Sequence, residues 1–174
     1  MGTEEVNAAV ADAGPLIHLT EVGGLHFLGI FDALHIPDAV WAETVGRDRV
    51  SASDVLRLGI VQRHSMSESE VSGFAQENNL EDLQDGEQES LCLCQQIGVI
   101  TLLTDDLAVR KAARHLKLTP VGSLGVVVRA YHLGCISLIE AERYMADLYD
   151  VSSLFITRTI VELAIEQLYL SNQE

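Results

Sequence analysis

The sequence contains few aromatic residues and no long apolar run. Phe, Trp and Tyr make up 5% of its 174 residues, so Ala, Val, Leu and Ile must build the core. No apolar run reaches the roughly 18 residues that a membrane-spanning helix requires, which argues against an integral membrane protein. The first residues are acidic and lack the basic start of a signal peptide. We therefore expect a cytoplasmic protein with no membrane segment.

Cysteine is also scarce. The chain has three cysteines, and an odd number in a cytoplasmic protein argues against a disulfide framework. Cys92 and Cys94 lie two apart in a predicted helix, so their side chains diverge and are poorly placed to share a metal ion. We expect both to be small buried hydrophobes.

Positive charge is limited, and the formal net charge is −15. Lys111 and Lys117 are the only lysines, so arginine carries most of the positive charge. Such an acidic surface repels a phosphate backbone, which argues against a constitutive nucleic-acid binder. It does not exclude an enzyme that contacts nucleic acid through bound metal and a local basic patch.

The length and the order of apolar segments predict one α/β domain over residues 1–174. Short strand-like runs, of which 99–104 is the clearest, alternate with helical segments, as in a parallel sheet with helices on both faces. The C-terminal extension, 150–174, contains a strand-like run at 154–156 and a predicted helix at 159–170. We find no internal repeat, low-complexity segment or linker.

Carboxylates follow two of the strand-like runs at the point where each run ends. Asp12 follows the run 8–11, and Asp105 and Asp106 follow the run 99–104. In an open parallel sheet, ligands bind outside the carboxyl ends of the strands. We therefore expect these side chains to line one pocket.

Two further acids, Glu43 within a predicted helix and Glu87 at the start of another, can reach the same pocket. At about 5 Å and an effective dielectric near 20, each pair of like charges costs roughly 3 kcal/mol, so one carboxyl should hold its proton well above its usual pKa. Hard oxygen ligands select Mg²⁺ or Mn²⁺. The acidic set therefore predicts metal-dependent phosphodiester chemistry.

Five segments also form a pattern through their order and spacing. They are Val10-Ala11-Asp12-Ala13-Gly14-Pro15-Leu16-Ile17-His18-Leu19, Ile36-Pro37-Asp38-Ala39-Val40-Trp41-Ala42-Glu43, Asp85-Gly86-Glu87-Gln88-Glu89-Ser90, Leu102-Leu103-Thr104-Asp105-Asp106-Leu107-Ala108-Val109-Arg110 and Val121-Gly122-Ser123-Leu124-Gly125. Together they span roughly residues 6–135. The pattern resembles the PIN domain, and more narrowly the uncharacterised branch close to VapC-type toxin ribonucleases.

The resemblance implies a three-layer α/β/α sandwich around a central parallel sheet. It also implies a metal-dependent endoribonuclease that acts on single-stranded RNA, pairs with a small antitoxin and is often a homodimer. Asp12, Glu43, Glu87 and Asp106 match the family's four acidic positions. Many relatives carry Ser or Thr where this chain has Ala13, so a hydroxyl that could hold a metal-bound water is missing there.

From the residues and the resemblance we assign candidate roles. The catalytic candidates are Asp12, Glu43, Glu87 and Asp106; the metal candidates are Asp12, Asp106, Glu87 and Asp105; the substrate-binding candidates are Arg110, Arg114 and His18. Arg110 and Arg114 lie four apart and so share a helix face.

The assignments also have plainer alternatives. Asp12 can simply be a turn residue in the loop after its strand. Asp105 can cap the helix that begins at Leu107, and Glu87 can interact with a helix dipole. The arginines can pair with surface carboxylates, and His18 can be a satisfied helix histidine. Asp38 and Asp85 are predicted as helix N-caps, and Glu89 as a surface residue.

Two other functions compete with the ribonuclease. A degenerate domain used for binding or dimerisation is favoured by the charge of −15 and by Ala13. A phosphoacceptor domain of the receiver type also gathers acids at strand ends, but this chain has a lone Asp12 after its first strand and no lysine after Lys117.

Overall fold

The computed structural model describes residues 6–172, and this part of the chain alternates strands with helices. The strands are β1 Ala8–Ala11, β2 Ala33–Pro37, β3 Val61–His64, β4 Thr101–Leu103 and β5 Thr119–Val121. The α-helices are α1 Ala13–Glu21, α2 Asp38–Thr44, α3 Ala52–Arg57, α4 Glu68–Asn78, α5 Asp85–Ile97, α6 Leu107–His115, α7 Ser123–His132, α8 Leu138–Asp150 and α9 Arg158–Ser171. A 3-10 helix spans Leu25–Ile30.

The five strands form one parallel sheet in the order β3-β2-β1-β4-β5. Strand β1 lies at its centre, where Val10 pairs with His35 of β2 and with Leu102 of β4. Strand β3 lies at one edge of the sheet. Because β1 and β4 are neighbours, the residues that follow them meet at the same edge of the sheet.

Helices cover both faces of the sheet. Because side chains alternate across a strand, neighbouring strand residues enter different cores. Ala9 and Ala11 point to one face, into a core shared with α1, α7, α8 and α9. Val10 points to the other face, into a core shared with α4, α5 and α6. Leu102 and Leu103 divide between the two cores in the same way. The predicted three-layer α/β/α architecture is therefore confirmed.

The C-terminal extension differs from the prediction in one element. Its helix is present as α9, but residues 154–156 form no strand. Leu154 and Ile156 pack against the core while Phe155 is fully exposed. This alternation imitates a strand, yet β5 and β3 occupy the two edges of the sheet and neither pairs with this segment.

Two predicted helix caps are wrong by one residue. Pro37 is the N-cap of α2 and Gln84 that of α5, so Asp38 and Asp85 are the first helical residues. Pro37 has no side-chain acceptor for the first turn. Glu89 of α5 supplies one, since its carboxylate accepts the Ala39 N–H at 3.0 Å. Glu89 was predicted to lie on the surface; it is half-buried and links the two helices.

The predicted burial of Cys92 and Cys94 is confirmed. Cys92 and Cys94 are buried free thiols, whereas Cys135 is exposed. Within residues 6–172, every helix is too short or too polar to cross a bilayer.

Candidate active site

A pocket of about 310 Å³ opens where β1 and β4 end. Six of its lining residues were predicted as site residues; the remainder come from the start of α1, the N-cap of α5 and the segment between α8 and α9. The predicted ones are Asp12, His18, Glu43, Glu87, Asp105 and Asp106; the others are Ala13, Gly14, Gln84, Ser153, Leu154 and Phe155. The lining thus combines acidic side chains with an apolar pair, Leu154 and Phe155.

Asp12 is the most buried of the acids, with 5% of its surface exposed. One carboxylate oxygen accepts the Ala13 N–H at 2.8 Å, and the other accepts the Thr104 hydroxyl at 2.9 Å. Burial raises the pKa of Asp12 to about 7, with smaller contributions from the charges of Glu87 and Glu43 and partial compensation from the two hydrogen bonds. A neighbouring cation would stabilise the ionised form.

Glu43 and Glu87 reach the pocket from helices α2 and α5, and both are half-buried. Burial raises the pKa of Glu87, and the charges of Asp106 and Glu43 raise it further. One Glu87 oxygen accepts the Gln84 N–H at 2.9 Å, which helps to begin α5. Glu87 therefore contributes to the helix start as well as to the acidic wall of the pocket.

Asp106, rather than Asp105, caps helix α6, which corrects the prediction. Asp106 Oδ1 accepts the N–H groups of Ala108 and Val109 at 2.7 and 3.0 Å. Its side chain is otherwise exposed toward the pocket. The cap fixes the carboxylate on the side of the helix start that faces the other acids.

Asp105 is the centre of a separate hydrogen-bond cluster. Its Oδ1 accepts the Ser123 N–H at 2.7 Å, and its Oδ2 accepts the Ser123 hydroxyl at 2.6 Å. Oδ2 also lies 2.7 Å from His18 Nδ1, and the two side chains are only 9% and 14% exposed. His18 is thus a satisfied helix histidine that also lines the pocket, and its predicted contact with RNA stays a prediction.

Close packing around Asp105 explains a glycine of the last motif. A Cβ atom on Gly122 would lie 2.8 Å from Asp105 Oδ1 and 3.2 Å from an Arg110 nitrogen. Any larger residue would therefore push apart the loop after β4 and the start of α7.

The two arginines are placed differently from the acids. Half-buried Arg110 donates to the Thr104 carbonyl at 3.2 Å, and burial lowers its pKa, as does the nearby Arg114. Arg114 is exposed on α6. Neither residue lines the acidic pocket, so phosphate contact by Arg110 and Arg114 stays a prediction.

Sequence reasoning missed Thr104 and Ser123. Both are fully buried hydroxyl residues whose side chains donate to site aspartates. Thr104 stands directly before the acidic pair, which is a signal that could have identified it. Ser123 is 18 residues from Asp105, and only the adjacency of β4 and β5 brings the two together.

The comparison with protein families decides what this arrangement belongs to. A family model described as a PIN domain matches residues 8–169. The chain belongs to the PIN-domain family. The match extends beyond the motif segments and includes α8 and most of α9. No curated protein and no solved structure matches the chain.

PIN domains are typically nucleases that act on nucleic acid and usually bind divalent metal ions. As the side chains stand in residues 6–172, no group of three or more His, Cys, Asp or Glu residues is arranged to hold a metal ion. The donor chemistry nevertheless fits one, because the pocket offers carboxylate oxygens. Among the described residues no cationic side chain pairs with the buried Asp12, whose hydrogen bonds come from the neutral groups of Ala13 and Thr104.

Proposed function

We propose that this PIN domain is an endoribonuclease that cleaves single-stranded RNA and requires Mg²⁺ or Mn²⁺. The observation that supports this most strongly is Asp12, a buried acid with a pKa near 7 that shares a pocket with Glu43, Glu87 and Asp106. Repulsion among clustered carboxylates destabilises the folded protein. A bound divalent cation would offset this repulsion and stabilise the ionised carboxylates.

In this proposal Asp12, Asp106 and Glu87 hold the cation and Glu43 orients water or a ligand from α2. A bound Mg²⁺ would acidify water and polarise a phosphoryl oxygen. We leave Asp105 out of the ligand set, because both of its oxygens already accept hydrogen bonds from Ser123 and Oδ2 also lies against His18. Its proposed role is to fix the wall of the pocket.

The biological setting we propose is the toxin half of a toxin–antitoxin pair. This rests on the resemblance of the five motif segments to the branch close to VapC-type ribonucleases. A small antitoxin and a second copy of the chain are the protein partners that it implies. Because the net charge of −15 repels a phosphate backbone from most of the surface, we expect RNA to bind through the metal ion and a local cationic group.

The test is cleavage of a labelled single-stranded RNA with Mg²⁺, with Mn²⁺ and with EDTA, using the wild type and Asp12→Asn. Asparagine keeps the shape and one acceptor but cannot carry the charge. We expect cleavage only by the wild type with metal. Cleavage that persists in EDTA, or in Asp12→Asn, would contradict the proposed centre.

A second candidate is a binding or dimerisation module without turnover. Ala13 favours it, because no hydroxyl stands beside Asp12 at that position, and so does the use of Asp106 and Glu87 in helix starts. Metal-dependent cleavage that is lost in Asp12→Asn would exclude it.

A further inference from the structure

Phe155 is the most exposed large apolar residue described, at 100% of its surface, yet it lines the acidic pocket. Its neighbours on the chain, Leu154 and Ile156, pack against the core. An isolated exposed apolar residue needs no explanation by itself. An apolar ring that lines the same pocket as Asp12, Glu43, Glu87 and Asp106, however, calls for an explanation.

The segment that carries Phe155 is firmly held by hydrogen bonds. The Ser153 N–H donates to the Glu21 carboxylate at 2.6 Å, and the Ser153 hydroxyl donates to both of its oxygens at 2.9 Å. Ser152 donates to the Leu148 carbonyl at 2.6 Å and accepts the Leu154 N–H at 3.1 Å. The ring therefore projects from a fixed support, which reduces the entropy lost when a ligand packs on it.

We propose that Phe155 is a stacking platform for one base of single-stranded RNA beside the phosphate that is cleaved. This inference rests on the proposed function of the pocket. A nucleotide joins an anionic phosphate to a flat base, and the pocket lining contains a complement to each: the carboxylates that we propose hold a metal ion, and an exposed aromatic ring. Stacking needs only the face of a base, so it is tolerant of sequence.

The same contact supplies a reason for preferring a single strand. In an A-form duplex the bases are stacked on each other and their faces are covered, whereas unpaired bases can be splayed onto an aromatic ring. Phe155 would therefore discriminate against duplex RNA without reading any base edge.

The experiment compares wild type, Phe155→Ala, Phe155→Trp and Ile139→Ala in kcat/KM on a single-stranded RNA with Mg²⁺. Ile139 is 77% exposed and lies outside the pocket, so it controls for the loss of an exposed apolar side chain. Base–aromatic stacking predicts a loss of about 5- to 150-fold in Phe155→Ala. Phe155→Trp should keep the wild-type value, and Ile139→Ala should not change it.

Abasic substitutions in the RNA make the test specific to stacking. Each nucleotide flanking the cleaved bond is replaced in turn by an abasic one. At one position the wild type should lose activity by a similar factor, while Phe155→Ala should lose nothing further. Additive losses at every position would overturn the proposal.

The possible failures are distinguishable. If the wild type cleaves RNA and Phe155→Ala is as active as Ile139→Ala, the stacking proposal fails and the ribonuclease stands. If the wild type does not cleave, binding of fluorescein-labelled single-stranded RNA to wild type and Phe155→Ala decides: weaker binding by the variant supports stacking, and equal or absent binding overturns it. A Phe155→Ala effect on oligomeric state alone, measured by sedimentation, would assign the ring to a subunit interface and overturn the proposal.

Discussion

The Thr104 hydroxyl donates to Asp12 Oδ2 over 2.9 Å and so connects the ends of two neighbouring strands. The Thr104 hydroxyl oxygen in turn accepts the Asp106 N–H at 3.3 Å. One buried hydroxyl thus sets the relative position of the two acids that we propose as the main metal ligands. Ala13 offers no hydroxyl, but Thr104 brings one to Asp12 from the adjacent strand.

Removing this hydroxyl should weaken both the fold and the site. Thr104→Val keeps the shape but leaves Asp12 with one donor fewer, and we expect a loss of about 1–3 kcal/mol in unfolding free energy. Since the lost bond favours the ionised acid, the pKa of Asp12 should rise further, and half-maximal cleavage should need more Mg²⁺. Thr104→Ser, which keeps the hydroxyl, is the control. Equal metal requirements in the two variants would contradict this role.

The two consecutive aspartates should respond oppositely to substitution. Asn replaces Asp as an N-cap at little cost, so Asp106→Asn should keep the melting temperature close to that of the wild type and lose metal-dependent cleavage. Asp105→Ala leaves the Ser123 N–H and hydroxyl without their acceptor, and should cost about 2–3 kcal/mol of unfolding free energy. Thermal melts with and without Mg²⁺ test both variants.

The opposite pattern would reassign the ligand. If Asp105→Ala melted like the wild type but no longer gained stability from Mg²⁺, Asp105 would be a ligand after all. If Asp106→Asn retained full activity, Asp106 would serve only as the cap of α6.

The sequence was sufficient to predict the sheet and the meeting of its acids. Short apolar runs that alternate with helices leave few arrangements for a parallel sheet, and carboxylates placed after β1 and β4 must then share an edge. Which of two adjacent aspartates would cap α6 was not predictable from spacing, because either can reach the first turn. The choice is made by Ser123 and His18, which engage Asp105 from distant parts of the chain.

The segment 154–156 shows the other limit of local patterns. Its alternation of buried and exposed residues is that of a strand, but strand formation needs a free sheet edge to pair with. The link between Ser153 and Glu21 spans 132 residues and holds the segment elsewhere. The function that we propose for the exposed Phe155 depends on this tertiary contact, which brings the residue to the pocket.

Without metal, stability should fall as pH rises through the range in which Asp12 ionises. The usual pKa of 3.8 applies to the unfolded chain and about 7 to the folded one. Between these values the folded protein keeps a proton that the unfolded chain has released, so the stability contributed by this proton is complete below about 4 and lost above about 7. The contribution of Asp12 should therefore lower the melting temperature, measured in EDTA, from pH 5 through 6 and 7 to 8.

Asp12→Asn separates this effect from the others, because asparagine resembles the protonated acid and does not titrate. Its melting temperature should depend less on pH over the same range. Millimolar Mg²⁺ should raise the melting temperature of the wild type most at pH 8, where the ionised ligand is needed, by linkage. An equal Mg²⁺ response in the wild type and Asp12→Asn would show that the cation binds elsewhere.

A histidine pair between β2 and β3 should affect stability in the opposite direction, lowering it as pH falls. His35 Nδ1 of β2 lies 2.8 Å from His64 Nε2 of β3, so one of the two facing nitrogens must lack a proton. Burial lowers the pKa of His35, and the charge of His64 lowers it further. As pH falls below the unfolded value near 6.5, the unfolded chain takes up a proton that the folded protein resists, and stability is lost.

His64→Gln removes the neighbouring charge and should reduce that loss of stability. Because Asp12 titrates in an overlapping range, the comparison is made in an Asp12→Asn background, as the difference in urea midpoint between pH 7.5 and pH 5.5. Equal differences with and without His64 would show that the pair does not control acid stability.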